Sequence, residues 1–383
     1  MRTKTDWTLF FTTVAMVCFG LVMVYSASAV VVSVNRNTLE LEPHLSYSGI
    51  VRQGLFAIVS FILMMLIKRY DYQKMDKPVW AFGITGVVIL ALLAVVFVDS
   101  EHHRWFRLFM GAKLQPSEFA KPALVLFLAF FLTHRRQDVN SWYTLAPACL
   151  VVGLVAFMVV VGDYGTALVL VAPAVVMFVV AGLNMRYLAV TIMAVFLCSL
   201  LAVLAIPYRR ARVVAFVDPK HETVRKLPEP IKSFLDVQVA SSKTNYQANQ
   251  AKLALGSGGL FGAGLMQSRQ KHRYLPESES DYIFALVGEE LGFWGCFAVL
   301  LGFGIILWRG LRLFFIAPDD FGKYLALGIT ASIVVQALFN MTVALDLVPS
   351  KGIPLPMISA GGSSMMATLI SLGLVLSVSE RAG

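Results

Sequence analysis

Charged residues are scarce in this chain: Asp, Glu, Lys and Arg make up 14% of its 383 residues, while 58% are hydrophobic. Soluble globular domains carry roughly a quarter charged residues, so a soluble fold is excluded as the first reading. Cysteine is sparse too. Cys18, Cys149, Cys198 and Cys296 all fall inside apolar runs without paired spacing, which argues against a disulfide framework and against a zinc site. The first apolar run is too long for a secretory signal core and lacks a small-residue cleavage site, so it is expected to stay as a span. The formal charge of +9 comes without an aromatic-interleaved basic stripe or a soluble binding module, so nucleic acid is not an expected partner.

Long apolar sequence is what the chain has in abundance. Runs of about 18 or more apolar residues can each cross a hydrocarbon layer of roughly 30 Å as a helix. They predict spans at 7–32, 53–68, 80–98, 117–134, 143–161, 164–182, 187–206, 282–308, 322–345 and 357–379. The expected fold is therefore an all-α polytopic membrane protein of about ten helices, a single transmembrane domain over residues 1–383. An even number of spans puts both termini on one side. The tails and the segments near 68–79, 135–142, 183–186 and 309–323 hold about 13 Lys and Arg, and the short alternating loops about 6. By the positive-inside rule both termini are expected in the cytoplasm. Residues 207–281 then form one large extracytoplasmic loop with 12 Lys/Arg and 7 Asp/Glu, a net charge near +5 that suits an anionic partner.

Ionisable residues near these spans are the candidate site. Glu118 and Lys121 are three apart in Gln115-Pro116-Ser117-Glu118-Phe119-Ala120-Lys121, share a helix face and can pair. Whether that pair only makes burial tolerable or lines a functional cavity stays open. Asp163, in a two-residue turn between spans, is either a helix N-cap or a cavity residue. Asp281 stands where the long loop meets the eighth span and has the same two readings. Glu289 and Glu290 lie two turns deeper, where a carboxylate must be paired or protonated. Arg104, Arg107 and Lys113 neighbour Trp105 and Phe106, as headgroup anchors or as site residues. The segment from Pro349 through Lys351, Gly352, Pro354 and Pro356 to Ser359 and Gly361-Gly362 must be irregular backbone. At membrane depth such backbone is tolerated only when buried in protein or lining a wet cavity.

In order along the chain, Gln115–Lys121, Asp163-Tyr164-Gly165-Thr166-Ala167, Tyr208-Arg209-Arg210-Ala211-Arg212 with Phe216-Val217-Asp218-Pro219, and Gln247 through Ala254–Gly259 form one series of landmarks. It continues with Leu275-Pro276-Glu277, Asp281–Ala285, Gly288–Gly292, Pro354-Leu355-Pro356 and Gly361-Gly362-Ser363-Ser364. This series resembles the SEDS family (shape, elongation, division and sporulation) over nearly the full length. The resemblance implies a processive glycosyltransferase of the bacterial cytoplasmic membrane that joins lipid II, an undecaprenyl-diphosphate-linked disaccharide peptide, into peptidoglycan strands. It also implies a class B penicillin-binding transpeptidase as partner, with other division proteins and membrane lipids around it. Lys351-Gly352 before Ile353-Pro354-Leu355-Pro356 looks like the septal, division branch; the elongation branch more often has threonine before that glycine. Two departures stand out: Glu279-Ser280 where the family commonly has His-Thr, and Ala360 where it commonly has tyrosine.

Such an enzyme needs a donor that already carries its leaving group, because no nucleotide-sugar supply exists outside the cytoplasm. Asp281 is the candidate catalytic base for the acceptor hydroxyl. Arg209, Arg210, Arg212 and Lys121 are candidates for stabilising the departing diphosphate, with Glu118, Arg104, Arg107, Asp163, Lys351 and Ser359 expected around the substrate. A divalent cation, Mg or Mn, is a further expected contributor, although the sequence shows no dedicated cage for it. A transporter that flips the lipid-linked precursor, and a scaffold that only positions a transpeptidase, are the competing classes.

Overall fold

The computed structural model describes residues 5–28, 30–34, 41–45, 48–99, 104–107, 113–135, 139–218, 228, 237–268, 279–349 and 352–382. Twelve α-helices organise them: α1 (Trp7–Ser28), α2 (Ser48–Arg69), α3 (Pro78–Val98), α4 (Pro116–His134), α5 (Trp142–Gly162), α6 (Tyr164–Val180), α7 (Met185–Ala205), α8 (Pro207–Val217), α9 (Val237–Ser257), α10 (Ile283–Ile316), α11 (Asp320–Ala344) and α12 (Gly362–Arg381). Nine of these helices are long and apolar enough to span a membrane, and α6 is a shorter apolar helix of 17 residues. At 1.5 Å per residue α6 reaches about 26 Å, close to the hydrocarbon thickness, so ten apolar helices match the expected spans. Their starts follow local chemistry: proline opens α3, α4 and α8, where a missing N–H costs nothing. The side chains of Asp163, Asn184 and Asp319 cap α6, α7 and α11.

Three helices form the centre. In α4, α11 and α12, 78%, 72% and 83% of the apolar window is enclosed, whereas none of α7 is buried. The candidate pair Glu118 and Lys121 therefore stands at the start of a central helix. Both chain ends lie at one end of the bundle, since Asp6 N donates to Ser379 Oγ at 3.2 Å and Thr5 Oγ1 to Glu380 Oε1 at 3.1 Å. An even number of crossings requires that arrangement.

Several boundaries differ from the sequence expectation. The first span was expected to reach residue 32, but α1 ends at Ser28 and Val30–Val34 forms β1, paired antiparallel with β2 (Leu41–Leu45). A Val-Val-Val-Ser-Val run is β-branched and favours extended backbone once it leaves the bundle. A second small pair, β3 (Phe106–Arg107) with β4 (Lys113–Leu114), precedes α4. The last span was expected from residue 357, yet α12 starts at Gly362, because Met357 takes positive φ (65°) and Ser359 is engaged elsewhere. The 207–281 segment contains helices α8 and α9.

The largest surprise is inside α10. At Gly292, φ is 67° and ψ −157°, which no L residue adopts comfortably, so the helix is two pieces joined at a break. The segment after α9 fills that break. Phe293 N donates to Gly259 O at 2.9 Å, while Ala263 N and Gly264 N donate to the carbonyls of Glu289 and Glu290 at 2.9 and 3.0 Å. Backbone groups released by the break are thereby satisfied inside the protein, as a membrane interior demands.

Candidate active site

The short upper piece of α10, Ile283–Leu291, is almost wholly enclosed and carries Asp281 just ahead of its first turn. The N-cap position falls to Tyr282. Asp281 is partly buried, and its carboxylate lies directly on Gly352: a Cβ there would stand 1.3 Å from Asp281 Oδ2. Only glycine at position 352 lets the carboxylate occupy this spot.

The irregular 352–361 segment is stitched to the turn holding Asp281. Ser359 Oγ accepts from Leu355 N at 2.7 Å and donates to Ser280 O at 2.5 Å, and Ala360 N donates to Glu279 O at 2.8 Å. Gln53 Nε2 holds Ser359 O at 3.2 Å. From α11, Asn340 Nδ2 donates to Asp281 O and Ile353 O at 2.8 and 2.7 Å, and one turn earlier Gln336 Nε2 donates to Pro354 O at 2.8 Å. Gln336 Oε1 also accepts from Lys121 Nζ, which pairs with Glu118 Oε2 at 2.8 Å. Glu118 and Lys121 are thus linked through Gln336 to the main chain of the 353–354 segment, which Asn340 ties to the main chain of Asp281, while Ser359 is bolted to the same turn at Ser280 O. Sequence reasoning missed Gln336 and Asn340. Their signal was two amides four apart in an otherwise apolar span, which places them on one helix face.

Arg104 and Asp163 form a second group. Arg104 Nη2 meets Asp163 Oδ2 at 2.6 Å, and Asp163 Oδ1 also accepts from Thr166 N at 3.2 Å, so Asp163 is both a helix cap and an ion-pair partner. A small cleft against this pair is lined by Leu92, Val95, Pro116, Ser117 and Val159. Ser117 bonds Gln115, whose N–H reaches Ser363 Oγ at 3.0 Å, so this group abuts the start of α4.

The arginines of α8 sit against helix ends. Arg209 donates to Ala202 O at 3.1 Å and Val160 O at 2.6 Å, with its guanidinium 5.6 Å from the Tyr164 ring centre; Arg210 donates to Leu204 O at 2.6 Å. Cations at the carboxyl ends of α5 and α7 complement the terminal carbonyls. Burial lowers the affinity of Arg209 for its proton, opposed by Tyr164 and Asp163. Arg212 follows in the same helix, partly buried, and Arg107 is exposed on β3. Lys351 lies outside the described residues. Glu289 and Glu290 are buried deeper in the same piece of α10, where Ser268 Oγ donates to Glu289 and Ser26 Oγ to both oxygens of Glu290 at 2.6 and 2.7 Å.

The fold and this site define a class: a polytopic helical membrane protein with an irregular, polar-lined site beside a broken helix. The chain belongs to the FtsW/RodA/SpoVE family of cell cycle proteins, whose model it matches over residues 6–382. It is similar to the protein of Geobacter metallireducens named "Probable peptidoglycan glycosyltransferase FtsW", 34% identical over 98% of this chain and 95% of that one. It is also similar to stage V sporulation protein E of Bacillus subtilis, 34% identical over 99% and 98%. Among solved structures, one described as "Structural coordination of polymerization and crosslinking by a peptidoglycan synthase complex" matches with a TM-score of 0.74 at 26% identity, covering 99% of this chain and 98% of the other. The rod shape determining protein RodA of Thermus thermophilus matches with 0.68 at 25%, covering 98% and 97%.

Proposed function

We propose that this chain is a peptidoglycan glycosyltransferase that polymerises lipid II into glycan strands at the outer face of the bacterial cytoplasmic membrane, in septal wall synthesis. The single observation that carries the reading is the Asp281 carboxylate lying on Gly352, in a segment that Asn340 holds by its main chain and that Gln336, the partner of Lys121, also holds. The names of relatives at 32–36% identity support glycosyl transfer and the division role.

In the proposed step the acceptor sugar hydroxyl gives its proton to Asp281 while its oxygen attacks the donor's anomeric carbon. The bond from that carbon to the diphosphate oxygen breaks, and lipid diphosphate departs. Lys121, oriented by Glu118 and Gln336, balances the charge that builds on the diphosphate. Arg104, Arg107, Arg209, Arg210 and Arg212 supply a basic surround, and Asp163 and Ser359 complete the substrate region. Among the described residues no group of three or more His, Cys, Asp or Glu side chains gathers to hold a cation. A divalent cation, Mg or Mn, held by fewer protein ligands together with the substrate's diphosphate would add charge stabilisation there. A class B penicillin-binding transpeptidase is the proposed partner, consistent with the crosslinking named for the matched synthase complex.

The test is reconstitution with purified lipid II in vesicles lacking any transmembrane gradient. Long glycan strands are the expected product. Translocation of lipid II without strands would overturn the reading in favour of a flippase, and neither product in the presence of the transpeptidase would favour a scaffold.

A further inference from the structure

We propose that Asn340 is a positioning residue for glycosyl transfer, its side-chain amide setting where Asp281 stands. Asn340 lies on α11 with 1% of its surface exposed. Its Nδ2 donates to Asp281 O at 2.8 Å and to Ile353 O at 2.7 Å, so both amide hydrogens are used. Two carbonyl partners fix which end of the amide is which, since the oxygen cannot face them. Among the described residues, Oδ1 is left buried without a hydrogen-bond partner. An unmatched buried acceptor costs stability, whereas an apolar residue of the same size would instead take away the donors to the Asp281 and Ile353 carbonyls. What Asn340 offers in exchange is its pair of donors.

Those donors join the two sides of one contact. Asp281 rests on Gly352, and Asn340 holds the main chain of Asp281 and of Ile353, the residue after that glycine. Loss of the amide frees both sides together, and a misplacement of about 1 Å at a reacting centre can cost on the order of 100-fold in rate. Asn340 acts through Asp281, so the inference rests on the reading of Asp281 as the base.

The test uses three side chains of nearly equal size at position 340 in the full chain with its transpeptidase partner, scored as lipid II polymerisation per folded molecule. Asparagine offers two donor hydrogens, a buried neutral carboxyl one, and leucine none. Asn340→Leu is expected to lower kcat at least 10-fold and Asn340→Asp to fall between it and the unaltered chain, both with KM for lipid II within twofold. A kcat for Asn340→Leu within twofold of the unaltered chain, equal losses in both variants, or a loss carried by KM would each overturn the proposal. If Asn340→Leu does not fold, Asn340→Asp decides alone: a kcat more than threefold down at unchanged KM supports the proposal, and anything less overturns it. Asp281→Asn is run alongside. Full activity there removes the base assignment, whereas a dead Asp281→Asn beside an active Asn340→Leu removes only the role of Asn340.

Discussion

Gly352 and Asp281 show how a functional position is defined by what cannot stand next to it. A methyl group at residue 352 would overlap the Asp281 carboxylate, so Gly352→Ala is expected to displace that carboxylate and lower polymerisation at least 10-fold, with an unchanged melting profile as the check on folding. The Glu118–Lys121 pair has different consequences. Both side chains are at least 94% buried, and removing one member of a buried pair typically costs about 3–5 kcal/mol by stranding the other charge. Lys121→Met is thus expected to melt well below the double variant Glu118→Gln/Lys121→Met; additive losses in that cycle would contradict the pairing. These charged residues were legible in the sequence because an ionisable side chain in an apolar run is conspicuous. Gln336 and Asn340 were not, because an amide carries no charge and its partners here are main-chain carbonyls of a segment distant in sequence.

The spans were legible because about 20 apolar residues suffice to define a membrane helix. The break in α10 was not, since a glycine within an apolar run reads as tolerated helix, and only the 258–264 segment packed against it reveals the irregular backbone. A Cβ at Gly292 would stand 2.5 Å from Gly262 N and 2.7 Å from Leu260 O. Gly292→Ala is expected to destabilise the fold by at least the roughly 1–3 kcal/mol that such backbone strain costs, measured as a lowered melting midpoint in detergent. At the end of the bundle holding the termini, buried Tyr72 donates to Asp319 Oδ2 at 2.5 Å, and Asp319 caps α11. Burial, then the hydrogen bond and charge of Asp319, push the Tyr72 phenol far above its ordinary value of 10.0. The folded chain holds this proton after the unfolded chain has released it, so stability falls as pH rises past about 10. Tyr72→Phe should lower stability at pH 7 by about 1–3 kcal/mol and lack that alkaline component, measured by melting between pH 7 and 11.

The ten apolar helices hold the polar group near the starts of α4 and α10, with α9 of the 207–281 segment packed against α10 and α11, and α8 against α9. The sequence offers Arg209, Arg210, Arg212 and Lys121 for the departing diphosphate; Arg209 and Arg210 also close the carboxyl ends of α5 and α7, a contact that spacing could not reveal. The proposed chemistry puts Asp281 at the reacting centre, with Lys121 of α4 and Asn340 of α11 in support. The most direct measurement is the rate of glycan-strand formation from purified lipid II by the chain with its transpeptidase partner, with and without Asp281→Asn. The account predicts a loss of about 10²–10⁴-fold, the usual worth of a general base, with the complex still assembled; strands formed at the unaltered rate would contradict it.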